Sequence, residues 1–461
     1  VVKRAALALA GLAALATAAS AANREGATTV ADRRGVAVTI YNGDIALVRD
    51  RRRISVPAGE SRLALRDVSD KMLPETAALR SLGASSVFDV VEQNFEAALL
   101  TPQAVLQANV GRTVTVTHVD PRTHARRRER ATILAANGGV VLRYADRIET
   151  SVDGPIAFAP GERGLRERPT LVATVDAPRA ATAEAELDYL TAGLQWSAQY
   201  TALLLSDGEH ADLHGDVTIV NRSGTAYANA DVQLVAGDVH LVRNPRAPQP
   251  RGAPLQVIGR ATSRAGAFQE QPLFDYHLYT LARRATLADA QSKQIALLDA
   301  PRVPVRRTLE LRGGGPVAVY ATFRNVEPEL GMPLPAGSIR FYQRDARGTA
   351  QYIGAGRIDH TPRGQSIRLR LGTAADLTTA TTRIESLKIG PTEFEYAVRV
   401  TLSNARSSAR EVLVIEPFSG DWQIVESSLP YRKTSAGTAE WTVQVPANET
   451  VALTYRWRTR S

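Results

Sequence analysis

Cysteine is absent from all 461 residues. That excludes disulfides, zinc ribbons, iron–sulfur centres and thiol nucleophiles. It also excludes a lipoprotein anchored through a cysteine at its cleavage site. Lysine is scarce: Lys3, Lys71, Lys293, Lys388 and Lys433 are the only five among 56 basic residues. The formal net charge of +9 is therefore carried by arginines scattered along an alanine-rich chain. This pattern reflects a GC-rich coding sequence better than a nucleic-acid surface, so no nucleic-acid partner is expected. Apolar runs long enough to span a bilayer, about 20 residues, are also missing. The chain is expected to have no transmembrane segment once its leader is removed.

What is present begins with that leader. Val1 to Arg4 is a short basic start, and Ala5 to Ala19 is uncharged and almost all Ala and Leu. Ala19-Ser20-Ala21 offers a small-x-small cleavage site. This order predicts a secretory signal peptide over 1–21, cut between Ala21 and Ala22. It places the protein in the periplasm or outside the cell. About 440 residues would remain, enough for two or three domains. A hydrophobic content of 44% supports a real core, and without disulfides that core must carry the stability.

Alternation with period two dominates the rest and predicts an all-β fold. Val36, Val38 and Ile40 lead to the hairpin signal Asn42-Gly43. Ile45, Leu47 and Val48 resume, and Leu63, Leu65 and Val68 follow the turn at Pro57-Ala58-Gly59. A helical or irregular excursion interrupted by Pro102 is expected over 92–109. Closely spaced strands from about 103 to 160, with turns near Pro121 to Arg128 and at Asn137-Gly138-Gly139, suggest a small barrel-like module. An N-terminal β-meander domain containing that module is expected over 30–165. A β-sandwich-rich C-terminal region is expected over 166–461. Within it, residues 244–272 have a loop composition and predict a mobile insertion. Two arginine clusters, Arg49 with Arg51 to Arg53 and Arg126 to Arg130, read as charged strand edges that resist aggregation.

Chemistry is thinly signalled. His210 and His214 have the spacing of a helical metal pair, but their context is β. On a strand four residues span about 13 Å, too far for one ion, so a solvated turn is the expectation and no metal site is assigned. Gly313-Gly314-Gly315 lies between strand patterns and reads as a turn. No nucleophile elbow, phosphate loop or zincin pattern occurs. No catalytic residue and no cofactor is assigned. One segment stands out, Phe274 to Tyr279. Alternation puts Tyr276 and Leu278 on one strand face and His277 and Tyr279 on the other. Cross-strand aromatic packing is the plain reading. A binding face at Tyr276, His277 and Tyr279 is the functional one.

Several stretches resemble a known family: Leu187 to Tyr200 (LDYLTAGLQWSAQY), Leu234 to Val239 (LVAGDV), Asp275 to Tyr279 (DYHLY) and Lys293 to Leu298 (KQIALL). With Glu416 to Trp422 (EPFSGDW) and Leu453 to Trp457 (LTYRW) they are similar to the domain-of-unknown-function 4139 family, related to proteins labelled mucoidy-inhibitor-like. The resemblance implies an exported bacterial β protein without an assigned activity. The chain lacks the long coiled-coil insertion of the mucoidy-inhibitor-like relatives, and no catalytic residue carries over. The expected role is non-catalytic binding or scaffolding at the envelope, with an envelope protein or a surface polymer as partner. The alternative is a secreted or periplasmic hydrolase whose acids converge only in the fold. Two buried acids in a cleft would favour the enzyme. An aromatic-edged face or an open sheet edge would favour binding.

Overall fold

The computed structural model describes residues 25–83, 85–96, 101–119, 122–152, 154–159, 165–237 and 268–460. The leader and its cleavage site lie outside the described residues, as does 244–267 of the expected insertion. The protein is all-β. Among the described residues, strands form six sheets, joined by one short α-helix and two 3-10 turns.

Four sheets contribute to the largest core, the six-stranded one through Ala321, Phe323, Ile367 and Leu369 and the other three more fully. An eight-stranded sheet has Ile45–Val56 near its middle, between Arg33–Tyr41 and Ala181–Thr191. A four-stranded sheet runs Glu25–Thr28, Gly59–Arg66, Thr170–Ala177, Asp89–Glu96. A five-stranded sheet contains Leu194–Leu204 and His210–Asn221. Their inward residues join one apolar cluster reaching from Val36 to Leu369. Alternation explains the strands directly. Along His210–Asn221 every second residue is buried. Gly215 is required there, because a Cβ would meet Leu298 and Tyr200 side chains at 3.0 and 3.1 Å.

The expected boundary at 165/166 does not exist in the fold. Ala64 pairs with Val172 and Tyr189 with Val48, so two sheets are built from both sides of it. The two cores are not divided at one point in the chain, since Ala321 to Leu369 still supply the first while Leu309, Leu311, Val317 and residues from Leu377 on supply the second. A second core begins at Leu309 and lies between a six-stranded and a four-stranded sheet, which form the C-terminal sandwich. Alternation marks which face of a strand is buried but not which distant strand it pairs with.

The module near 103–160 is a five-stranded antiparallel sheet with its own small core around Val116, Ile133 and Leu142. Its end strands, Ile148–Glu149 and Ile156–Ala157, do not pair with each other, so it is an open sheet and not a closed barrel. Pro102 does not interrupt a helix but starts one, Pro102–Ala108, with the Thr101 side chain capping Ala104 N. Proline fits the first helical position because its missing N–H would be unpaired there anyway. Phe95 belongs to the strand Asp89–Glu96. The last five residues of the expected insertion, 268–272, form most of the strand Phe268–Leu273, pinned by buried Phe268.

The first arginine cluster is not at an edge. Ile45–Val56 is an interior strand, with Arg49, Arg51 and Arg53 on its exposed side and Arg52 in the core. In the second, Arg126 to Arg130 pair on one side with Val119 to Thr115, while the neighbouring strand Val141–Arg143 reaches only as far as Thr132, opposite Arg143. His210 and His214 sit on a strand, not in a turn, each beside its own carboxylate, Asp207 and Asp216.

Candidate functional site

The segment singled out in the sequence opens the strand Tyr276–Leu281, whose hairpin partner Phe268–Leu273 is an outer strand of the eight-stranded sheet. Tyr279 is a core residue, 1% exposed. Its hydroxyl donates to the Pro333 carbonyl at 2.9 Å, and its ring lies 6.4 Å from that of Trp196. Burial pushes its hydroxyl pKa well up. That removes Tyr279 from any ligand-facing surface. His277 is half-buried at the rim, with Nδ1 2.8 Å from Glu270 Oε1 across the hairpin. Tyr276 is half-buried and covers Gly237, where a Cβ would come within 2.4 Å of its ring.

The outward-facing group is the turn between the strands. Phe274 is 87% exposed and adopts φ +55°. That region is unfavourable for a bulky side chain. Leu273 beside it is 42% exposed, and the Phe274 and Tyr276 rings are 6.2 Å apart. Sequence reasoning passed over Phe274, because alternation treats an aromatic as a core residue and says nothing of a turn tip.

A second site is a cleft of about 470 Å³ at the end of the strand Gly59–Arg66, lined by Thr29, Val30, Arg66, Asp67, residues 165–168 and Thr170. Its floor is set by charge inside the core. Val48, Asp50, Arg52, Ile54 and Val56 all face inward by strand parity. Asp50 accepts from Arg33 Nε at 2.9 Å and from Arg52 Nη2 at 2.7 Å. Burial would raise the Asp50 carboxyl, but the two guanidinium groups outweigh it and hold it below its ordinary value. Arg52 then spends Nη1 on two backbone carbonyls, Thr28 at 3.2 Å and Arg66 at 2.7 Å. This ties together the two chain segments that form the cleft floor.

Asp67 follows with φ +63°, a conformation aspartate tolerates better than most residues. Its carbonyl accepts from Thr225 Oγ1 at 3.0 Å. Its carboxylate accepts from Val30 N at 3.2 Å and Arg168 Nη1 at 2.5 Å. Burial opposes ionisation here, but these donors keep the carboxyl below its usual range. Arg166 gives both Nη groups to Glu25, at 2.6 and 2.8 Å, and its Nε to Glu96. The hydrogen bond from Arg166 lowers Glu25 against its partial burial. Carboxylates fixed this way are poor proton donors and poor bases. The side chain of Arg66 donates no hydrogen bond among the described residues, though its charge reaches Glu25.

One acid differs. Glu416 lies on the core side of Arg410–Pro417 in the C-terminal sandwich and is 9% exposed. Its Oε1 has no hydrogen-bond partner. Burial raises it to about 7. Its charge acts on the buried Tyr455, whose ring lies 4.7 Å from Trp441 and 6.3 Å from Phe418, so Glu416 has aromatic surroundings. Among the described residues no group of three or more His, Asp and Glu side chains could hold a metal ion, and no helix is long and apolar enough to cross a membrane.

A scan against models of known protein families matches none, and a search of characterised proteins finds no significant match.

Proposed function

We propose that this is an exported bacterial envelope protein of the domain-of-unknown-function 4139 type, and that it binds or scaffolds rather than catalyses. The observation that carries the reading is the hairpin tip, where Leu273 and Phe274 face solvent at the side of the largest sheet. Holding a large aromatic outward at positive φ costs free energy, and such strain clusters at binding sites. An envelope protein or surface polymer with an apolar patch is the partner this tip suits. The acids Asp67, Glu25 and Glu96 at the cleft support the same reading, since each accepts hydrogen bonds from arginine. The hydrolase alternative has two raised acids, Glu416 inside a packed sandwich and Asp70, raised by burial and by Asp289, in the other core region, and they do not share a cleft.

Co-sedimentation of the mature chain with isolated envelope material tests this. The full chain is expected to sediment and to release no soluble product, and Phe274→Ser is expected to melt normally but stay in the supernatant. Equal sedimentation of Phe274→Ser removes the tip as the binding element. Release of soluble fragments that stops in Glu416→Gln replaces binding with hydrolysis.

A further inference from the structure

We infer that the cleft beside Arg66 is a binding site for an oxyanion, a carboxylate or phosphate group at the end of a ligand, held between Arg66 and Arg168. This goes beyond the hairpin tip and does not depend on it. The guanidinium of Arg66 is the uncommitted donor of the cleft. Its planar fork matches the paired oxygens of a carboxylate or phosphate. Arg168 commits one Nη to Asp67, and no other side-chain hydrogen bond from it occurs among the described residues. Its remaining N–H groups can meet the same anion. Arg166 is already saturated by Glu25 and Glu96, so it acts as wall rather than ligand.

The floor is preorganised for this. Arg52 holds the Thr28 and Arg66 carbonyls together from below. Thr225 and Val30 hold Asp67 in its left-handed conformation. The backbone beneath the site is already held, so ordering is confined to the Arg66 and Arg168 side chains. Asp67 and Glu25 are each matched by an arginine already in contact, and the lining Glu167, whose charge acts on Arg168, leaves Arg66 as the principal donor to the anion. A cleft of about 470 Å³ suits a single acidic sugar or phosphorylated group rather than a long segment of polymer.

The test is calorimetric titration of the full chain with inorganic phosphate and, separately, with glucuronate, at matched ionic strength. Saturable binding of at least one is expected. Phosphate preference names a phosphorylated ligand, and glucuronate preference names a uronic acid. Arg66→Ala should weaken binding by about tenfold or more, as for loss of a bidentate charged contact, with Arg66→Lys in between. Arg432→Ala, which breaks an exposed pair with Glu440 in the other sandwich, should bind as the parent does. Arg168→Ala gives a second reading if Arg66→Ala fails to fold. No saturable binding of either anion, or equal binding by Arg66→Ala, overturns the site. Envelope capture that persists in that event leaves the hairpin reading standing, and anion binding that persists in Phe274→Ser leaves this one.

Discussion

Among the strands that carry a charged side chain into a core, two solve the same problem in opposite ways. On Ile45–Val56 the buried Asp50 has Arg33 and Arg52 around it, and the surplus positive charge of Arg52 is spread over two backbone carbonyls. On Arg410–Pro417 the buried Glu416 has aromatic neighbours and an oxygen with no partner. The first carboxyl is held ionised, and the second is pushed toward its neutral acid. Desolvation is large in both. What decides the outcome is whether opposite charge and hydrogen bonds lie within reach. The first solution also does structural work, because the same guanidinium that balances Asp50 fixes the floor of the cleft.

Removing one partner from the paired cluster should have the largest effect. Asp50→Ala leaves two buried guanidinium groups without their counter-charge, and should lose about 3–5 kcal/mol by urea unfolding. A loss under about 1 kcal/mol would mean the network contributes little beyond shape. Tyr279→Ala should cost a comparable ~3–5 kcal/mol, as for a buried large aromatic. Tyr279→Phe should cost only ~1 kcal/mol, the worth of its hydrogen bond to Pro333. Two neutral results there would return Tyr279 to the list of surface residues.

The pH dependence should run in opposite directions in the two regions. Glu416 has a folded value of about 7 against an ordinary 4.5. Its neutral form is favoured by folding, so the C-terminal sandwich should lose stability as pH rises from about 4.5 to about 7, by about 3 kcal/mol in all. Glu416→Gln should flatten that slope. Asp50 is lowered, so its contribution is present above the ordinary value of 3.8 and is lost as pH falls below it through the folded value. Region-resolved hydrogen exchange at pH 3, 5 and 8 would separate them. Parallel behaviour of the two cores would break the comparison. The smallest effect is expected for His277→Ala, within about 0.5 kcal/mol, since its contact with Glu270 is at a half-exposed rim. A larger loss would mean that the hairpin depends on that pair.

Much of this contrast was within reach of the sequence. Strand parity alone puts Asp50 and Arg52 on the same side as Val48, Ile54 and Val56, and Glu416 on the side of Val412 and Val414. The arginine run was instead read as an edge, because four like charges in five residues resemble a protective edge strand when neighbours are unknown. Tyr276, His277 and Tyr279 were correctly placed on a strand, and their alternation was correct, but burial of both Leu278 and Tyr279 requires layers on each side of that strand. Alternation cannot report a second layer.

The sequence by itself determined the all-β class, the turns at Asn42-Gly43 and Gly313 to Gly315, and which face of most strands is apolar. These are local properties, set within a few residues by side-chain parity and by backbone freedom at glycine. Only the tertiary structure decided that Gly59–Arg66 lies beside Thr170–Ala177, that residues 321–369 return to the first core after Leu309 and Val317 have entered the second, and that Thr29, Arg66, Asp67 and Arg168 meet around one cleft. Those residues are up to 139 positions apart, and no periodicity links them. They are brought together by strand pairing and by one buried arginine whose Nη1 bonds two backbone carbonyls, which carry no side-chain identity for a sequence to display.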